Sequence, residues 1–233
     1  MVKPIVSIIV PTYNEEEFIE QTLKALLSQT VPKEKYEIIV SDSSSTDKTL
    51  SIAKKYADKV VVCKKHSAGF GRNFGAKQAS TPLLGFVDAD TIVESTWVEA
   101  LIEGLEKAVA CTGPIKSLER NSIILSMFFW WWGFQSWITT MLHYPIFPGY
   151  NIGARKKAFD QVGGFSTENI TVEDIKLGLD LSKVGKVVFN DRMKVKTSNR
   201  RLNEIWLPSY IWNGVKFTLF GKSRGWEQHR KDF

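Results

Sequence analysis

Two aspartates one residue apart, Asp88 and Asp90, close the apolar run LLGFV in the stretch FVDADT. Carboxylates at this spacing, just past a strand, can turn toward one cation. Oxygen ligands suit a hard divalent ion, Mg2+ or Mn2+, which would also bind a diphosphate. The same pair can instead cap the next helix, through Asp90 or Ser95. Two more polar loops follow apolar runs: PTYNEEE (11–17) after IVSIIV, and SDSSSTDKT (41–49) after YEIIVS. A fourth acidic feature, Glu173–Asp174 in TVEDIKLGL, opens an amphipathic stretch. A helix N-terminus favours carboxylates through its dipole, and it can also hold one rigidly enough to act as a base.

Other residue patterns carry less. GFGRNFG (69–75) has G-x-G-x-x-x-G spacing and follows the third apolar run, so it does not fit the dinucleotide fingerprint. His66, His143 and His229 are scattered, without a ligand or triad partner at diagnostic spacing. Cys63 and Cys111 lie in no metal-like spacing, which favours buried thiols and a reducing cytoplasm over a disulfide framework. The N-terminus turns acidic too soon for a signal peptide.

The polar loops need a scaffold, and the first 116 residues supply one. The runs 5–10, 36–41, 59–63 and 83–87 are short, rich in β-branched residues and bounded by turn formers, so they read as buried strands. Helical patterns over 15–29, 47–57, 69–79 and 95–108 lie between and after them. This alternation predicts βαβ units and a mainly parallel sheet, whose carboxyl ends are where ligands bind. Beyond the middle of the chain, a helix closed by Gly185 and strands at KVVFN and MKVKT are expected. A length of 233 residues and 43% apolar content suit a single globular domain.

Taken together, VSIIVPTYNEE, YEIIVSDSSSTDKT, GFGRNFGAKQASTPLLGFVDADT, VGGF, VED and TSNRR occur in the order and spacing of family 2 glycosyltransferases. The chain resembles that family from about residue 5 to 201, leaving 121–147 and the last 30 residues uncovered. The resemblance implies a GT-A (Rossmann-like) α/β fold with a mixed, mainly parallel sheet flanked by helices. It also implies a nucleotide-sugar donor, a divalent cation and an inverting transfer. Pro11, Thr12 and Tyr13 match the loop framing the donor's base, and Asp42 matches the aspartate that hydrogen-bonds the base. Uridine is favoured there, because Asp42 can accept from an imide N–H, and a GDP-sugar is the alternative. The family's usual second acid and glycine after that aspartate are replaced by Ser43 and Ser44. Arg72 matches an arginine near the nucleotide, and Asp88 and Asp90 match the D-x-D that holds nucleotide and metal. Asp174 matches the catalytic base, with Glu173 beside it. Arg200 and Arg201 match a basic pair that meets the diphosphate in some members, although the Q-x-x-R-W form is absent.

The expected organisation is one catalytic domain over 1–233. It comprises a nucleotide-sugar-binding half (1–116), an aromatic insertion (117–148), an acceptor and catalytic half (149–202) and a basic amphipathic tail (203–233). Residues 183–233 carry twelve Lys and Arg against four Asp and Glu, an imbalance that points to an anionic partner.

The insertion is the oddity. SMFFWWWGFQSWITTM (126–141) holds four of the eight tryptophans within a run, 121–154, that has no formal charge. It is long enough for one spanning helix, but a single crossing would put Asp88 and Asp174 on opposite sides of a bilayer. Ser122, Ser126, Gly133, Ser136, Thr140 and His143 form a narrow small-or-polar stripe at helical spacing. Three readings stay open: an interfacial or lipid-acceptor surface, an oligomer contact, or core. The leading function is transfer of a sugar to a lipid-linked or glycan acceptor at the cytoplasmic membrane face, with peripheral contact through 123–144 and 205–220 and no nucleic acid involved. The alternatives are a polyprenyl-phosphate glycosyl synthase, a nucleotidyltransferase on a similar fold, and a non-catalytic nucleotide-sugar-binding protein at the membrane periphery.

Overall fold

The computed structural model describes residues 3–64, 67–118, 123–167 and 173–200. The first half alternates as the sequence predicts: β1 (Val6–Thr12), α1 (Ile19–Leu27), β2 (Tyr36–Asp42), α2 (Thr49–Tyr56), β3 (Lys59–Val62), α3 (Ala68–Lys77) and β4 (Leu83–Phe86). Then come β5 (Thr91–Val93), α4 (Trp97–Lys107), β6 (Ala110–Thr112), β7 (Ile115–Ser117) and the long α5 (Ile123–Met141). The remaining elements are β8 (Ile152–Arg155), α6 (Lys156–Gln161), α7 (Glu173–Val184), β9 (Val187–Phe189) and β10 (Val195–Thr197).

Seven strands form one sheet in the order β3-β2-β1-β4-β8-β6-β9. All neighbours in it are parallel except β8, which runs antiparallel to both β4 and β6. The strand order reverses at β1, between β2 and β4, so the crevice for a ligand opens at the carboxyl ends of β1 and β4. Both faces of the sheet are covered, and β1 shows why its run is continuously apolar. Val6, Ile8 and Val10 pack with Leu23, Leu26 and Trp97 on one side, while Ile9 packs with Phe86, Phe159 and Phe165 on the other. A second, three-stranded sheet, β5-β10-β7, stands beside it.

Two features of the middle region are not predicted by sequence periodicity. The glycine-rich stretch after α5 contains β8, in which Gly153 faces Gly85 of β4. A Cβ at Gly85 would lie 2.8 Å from the Trp97 ring, and one at Gly153 would lie 2.6 Å from Cys111 Sγ. The paired glycines therefore admit α4 close against the sheet. The fully buried Asn151 fastens the same region: Trp97 Nε1 donates to its Oδ1 at 2.8 Å, and its Nδ2 donates to the Gly113 and Met193 carbonyls. Cys63 and Cys111 are both buried free thiols, and burial pushes Cys111 up to about 12. That is the behaviour of packing residues.

Helix α5 is built inside out relative to a surface helix of a soluble protein. Ser136 and Thr140 from the small-polar stripe are buried, and Gly133 lies against Ile115 of β7. Ser136 is satisfied by donating to the Ile146 carbonyl at 2.9 Å, and Thr140 by donating to the Ser136 carbonyl at 2.7 Å. The aromatic side faces outward, with Trp130 69% and Leu142 70% exposed, alongside Met127, Trp131, Phe134, Trp137 and Met141. Among the described residues no helix is long and apolar enough to cross a membrane. The core reading of the aromatic run therefore holds only for its inner side, including Phe128 and Phe129.

Candidate active site

The parallel register of β1 and β2 sets Thr12 directly opposite Asp42 at the carboxyl ends of both strands. Asp42 is fully buried there. Its carboxylate accepts from the Thr12 hydroxyl at 2.9 Å, the Ser45 amide at 2.8 Å and the Ser45 hydroxyl at 2.6 Å. A carboxylate has about four acceptor positions, so these three bonds fix its loop and leave about one position for a further donor. The two loops are laced together, since the Asn14 amide donates to Ser45 Oγ and the Thr46 amide to Asn14 Oδ1, both at 2.9 Å. Asn14 and Ser44 are left-handed, with φ of 51° and 62°. Ser44 thus occupies, as a non-glycine, a conformation that glycine takes without strain. Its hydroxyl donates to the Cys63 carbonyl at 2.7 Å, which holds it there. Pro11 packs beside Gly71 of α3, and Tyr13 is half-buried at the loop edge.

Arg72 is the centre of the pocket. Helix α3 begins at a Ser67 N-cap, whose Oγ accepts from the Phe70 amide, and carries Arg72 inward until it is only 4% exposed. Nη2 donates to Asp88 Oδ1 at 2.6 Å, and Nη1 reaches Glu173 Oε1 at 3.5 Å. The guanidinium lies 5.1 Å from the Phe165 ring centroid, and its buried Nε has no hydrogen-bond partner among the described residues. Burial works against its charge, but Asp88 and Glu173 more than offset this and hold it above its ordinary value. One arginine therefore joins the aspartate pair after β4 to the acidic start of α7 across the folded chain.

Asp174 faces the same centre. Its Oδ2 accepts from the Gly149 amide at 3.0 Å and its Oδ1 from the Ile175 amide at 2.9 Å. Burial raises its carboxyl above the usual carboxylate range, and Arg72 and the two amides restrain that rise. On the far side, Arg200 pairs with the buried Glu15, and its Nε lies 3.5 Å from Asp90 Oδ2. Burial opposes the Arg200 charge, while Glu15 and Asp90 outweigh it and raise its value. Arg201, His66, Ser122 and the tail from 203 onward lie outside the described residues. Asp90 does not cap α4: β5 intervenes, and the helix starts after Thr96 without a side-chain cap bond.

Sequence reasoning missed two members of this site. Glu15 is one of three consecutive acids, and only burial separates it from the exposed Glu16 and Glu17. Gly149 sits where a Cβ would come within 2.9 Å of Arg72 Nη2. Gly149→Ala is therefore expected to crowd a guanidinium that two carboxylates pin in place. We expect a loss of about 1–3 kcal/mol in urea unfolding, the usual size of an overpacking penalty, together with weaker donor binding by calorimetry.

The charge balance bears on a cation. Glu15, Asp88, Asp90, Glu173 and Asp174 gather around Arg72 and Arg200, so among the described residues five carboxylates meet two guanidiniums. An anionic diphosphate entering this pocket needs further positive charge. Among the described residues no cluster of three or more His, Cys, Asp or Glu forms a ready metal site. Mg2+ is commonly held by one or two carboxylates completed by substrate phosphates and water, and Asp88 with Asp90 fits that donor set.

The family model for glycosyl transferase family 2 matches residues 7–163. The chain is 29% identical over 200 residues to the probable glycosyltransferase YdaM of Bacillus subtilis (strain 168), covering 78% of this chain and 47% of that protein. It is 25% identical over 246 residues to a dolichyl N-acetyl-alpha-D-glucosaminyl phosphate 3-beta-D-2,3-diacetamido-2,3-dideoxy-beta-D-glucuronosyltransferase of Methanococcus voltae, covering 94% of this chain and 73% of that one. The chain thus spans about half the length of the first of these relatives. Among solved structures, Staphylococcus aureus TarS 1–349 in complex with UDP-GlcNAc superposes with a TM-score of 0.68 at 23% identity, covering 87% of this chain and 61% of that one. The mannosyltransferase PcManGT of Pyrobaculum calidifontis, in complex with GDP-Man and Mn2+, superposes with a TM-score of 0.67 at 21% identity, covering 84% and 57%. At these identities the superpositions establish the mixed α/β fold, with its mainly parallel sheet flanked by helices. With the family model matched over more than half of its length, the chain belongs to glycosyl transferase family 2.

Proposed function

We propose that this enzyme moves a sugar, with inversion, from a nucleotide-diphosphate donor to a hydroxyl of a lipid-linked acceptor at the cytoplasmic membrane face. The observation that carries the reading is Arg72, which brings the D-x-D aspartate and the acidic start of α7 to one centre. Binding starts at the β1 and β2 loops, where Pro11, Thr12 and Tyr13 frame the base and Asp42, held by its own loop, accepts a hydrogen bond from the base. A divalent cation would be held by Asp88 and Asp90 and, when bound, would neutralise the leaving diphosphate. Arg200, beside Asp90, adds a guanidinium where that charge develops.

In the transfer, the acceptor oxygen forms a bond to the anomeric carbon as the bond from that carbon to the diphosphate oxygen breaks. The bonding pair leaves on the nucleoside diphosphate, and the acceptor hydroxyl proton passes to Asp174. The carboxylate is suited to accept it, because two backbone amides orient the group and burial raises its proton affinity. The outward aromatic side of α5 and the lipid-linked substrate named for the M. voltae relative favour a lipid acceptor over a free glycan. If that acceptor were a polyprenyl phosphate, its oxygen would already be anionic and Asp174 would matter less.

Titration of UDP- and GDP-sugars by calorimetry, with and without Mn2+, tests the donor half. One nucleotide should bind at least tenfold more tightly with the ion, and Asp88→Asn should abolish the difference. Binding indifferent to both would sink the donor assignment, and release of pyrophosphate in place of nucleoside diphosphate would point to a nucleotidyltransferase.

A further inference from the structure

Between α5 and β7 runs a groove of about 470 Å3, within the size range of small-molecule sites. Ile115, Lys116 and Ser117 lie along its β7 side, and Trp130, Phe134 and Trp137 along its α5 side. The aromatic wall is ordered by its own packing. The Trp130 and Phe134 rings stack at 5.7 Å with only 7° between their planes, and Phe134 meets Trp137 at 5.8 Å. An apolar channel on a surface this rich in exposed tryptophan calls for an apolar occupant.

Charge and position narrow the occupant. Lys116 is exposed at the groove, and among the described residues it has no ion-pair partner, whereas its strand neighbour Lys196 is paired with Glu94 at 3.1 Å. The Ser117 end of the groove is fastened to the segment that carries Arg200. Ser117 accepts from Asn199 Nδ2 at 3.5 Å, and the next residue, Arg200, pairs with Glu15 and approaches Asp90. An occupant lying along β7 would thus have a cation beside it and one end near the segment that carries Arg200.

We propose that this groove binds the hydrocarbon chain of a phosphate-bearing lipid acceptor, the chain lying on Trp130, Phe134 and Trp137 and the phosphate meeting Lys116. The inference rests on the lipid-acceptor reading above and gives it a specific site. Binding buries the exposed aromatic wall, and the ammonium contributes as a point charge toward phosphate.

Farnesyl phosphate, farnesol and inorganic phosphate, each titrated into the full chain without donor or detergent, test the site through tryptophan fluorescence. Farnesyl phosphate should give a saturable change, farnesol should bind at least tenfold more weakly, and inorganic phosphate should give none. Lys116→Ala should reduce farnesyl phosphate to the level of farnesol. Ser126→Phe, at an exposed position that lines the groove, should block both, while UDP- or GDP-sugar binding stays unchanged in either variant. Equal binding of the two lipids, or binding indifferent to both substitutions, overturns the proposal. So does a wild-type dimer that Ser126→Phe converts to monomer, which would assign the groove to a second copy of the chain. Lost probe binding with intact donor binding removes this site and leaves glycosyl transfer standing, and the reverse result removes the donor reading alone.

Discussion

Arg72→Met is expected to lower the free energy of unfolding by about 3–5 kcal/mol, the usual consequence of removing one partner from a buried charge cluster. Arg72 is 4% exposed and lies between Asp88 and Glu173, with Asp174 also within its field. Methionine matches the aliphatic stem but leaves those carboxylates facing one another without a cation. The signature is in the pH dependence. Burial already raises the Asp174 carboxyl and Arg72 restrains that rise, so without Arg72 its folded-state value moves further above the unfolded one. The variant is then closest to wild type below the ordinary carboxylate range, and it loses stability as pH rises through the raised folded value. Urea unfolding across that interval checks both size and sign. Glu173→Gln in the Arg72→Met background should recover part of the loss, and Arg72→Lys should fall between, keeping the charge but losing the two-armed contact. A deficit below about 1 kcal/mol, the scale of an exposed ion pair, would show that Arg72 is not the organiser described.

Much of this arrangement is legible in the residue order. Four strands and four helices of the first half follow from alternating β-branched and amphipathic runs, because both faces of a parallel sheet are covered and its strands are continuously apolar. The D-x-D and the carboxylates at 173–174 stand out as acids at element ends. Periodicity does not reveal β8, whose four residues include a glycine required by its approach to Cys111 and Leu101. Nor does it distinguish Glu15 from its acidic neighbours, because burial is a property of the assembled loops. The stripe along α5 is legible as a stripe, but which side faces inward is not. The helix turns its small and polar residues toward β7 because Gly133 permits close approach and Ser136 finds a carbonyl.

The reaction itself turns on Asp174. Asp174→Asn is expected to reduce turnover about 10²–10⁴-fold with a hydroxyl acceptor, the range for loss of a positioned general base. Donor affinity should change far less than turnover, since asparagine keeps the shape and one of the two amide contacts and loses only the bond its NH2 group cannot accept. The pH profile adds a second reading. Burial raises the Asp174 carboxyl, so the acid limb of kcat/KM in the wild type should lie above the ordinary carboxylate range and disappear in the variant. Glu173 is the competing base, but it is buried and already engaged by Arg72. Glu173→Gln should therefore act by loosening Arg72, weakening donor binding while leaving the acid limb in place. The acceptor decides how large the Asp174 effect becomes. A phosphate oxygen needs no deprotonation, so near-normal turnover of Asp174→Asn with a polyprenyl phosphate, beside a large loss with a hydroxyl acceptor, would identify the nucleophile. Near-normal turnover with both would remove Asp174 as the base and leave positioning and charge stabilisation to do the catalysis.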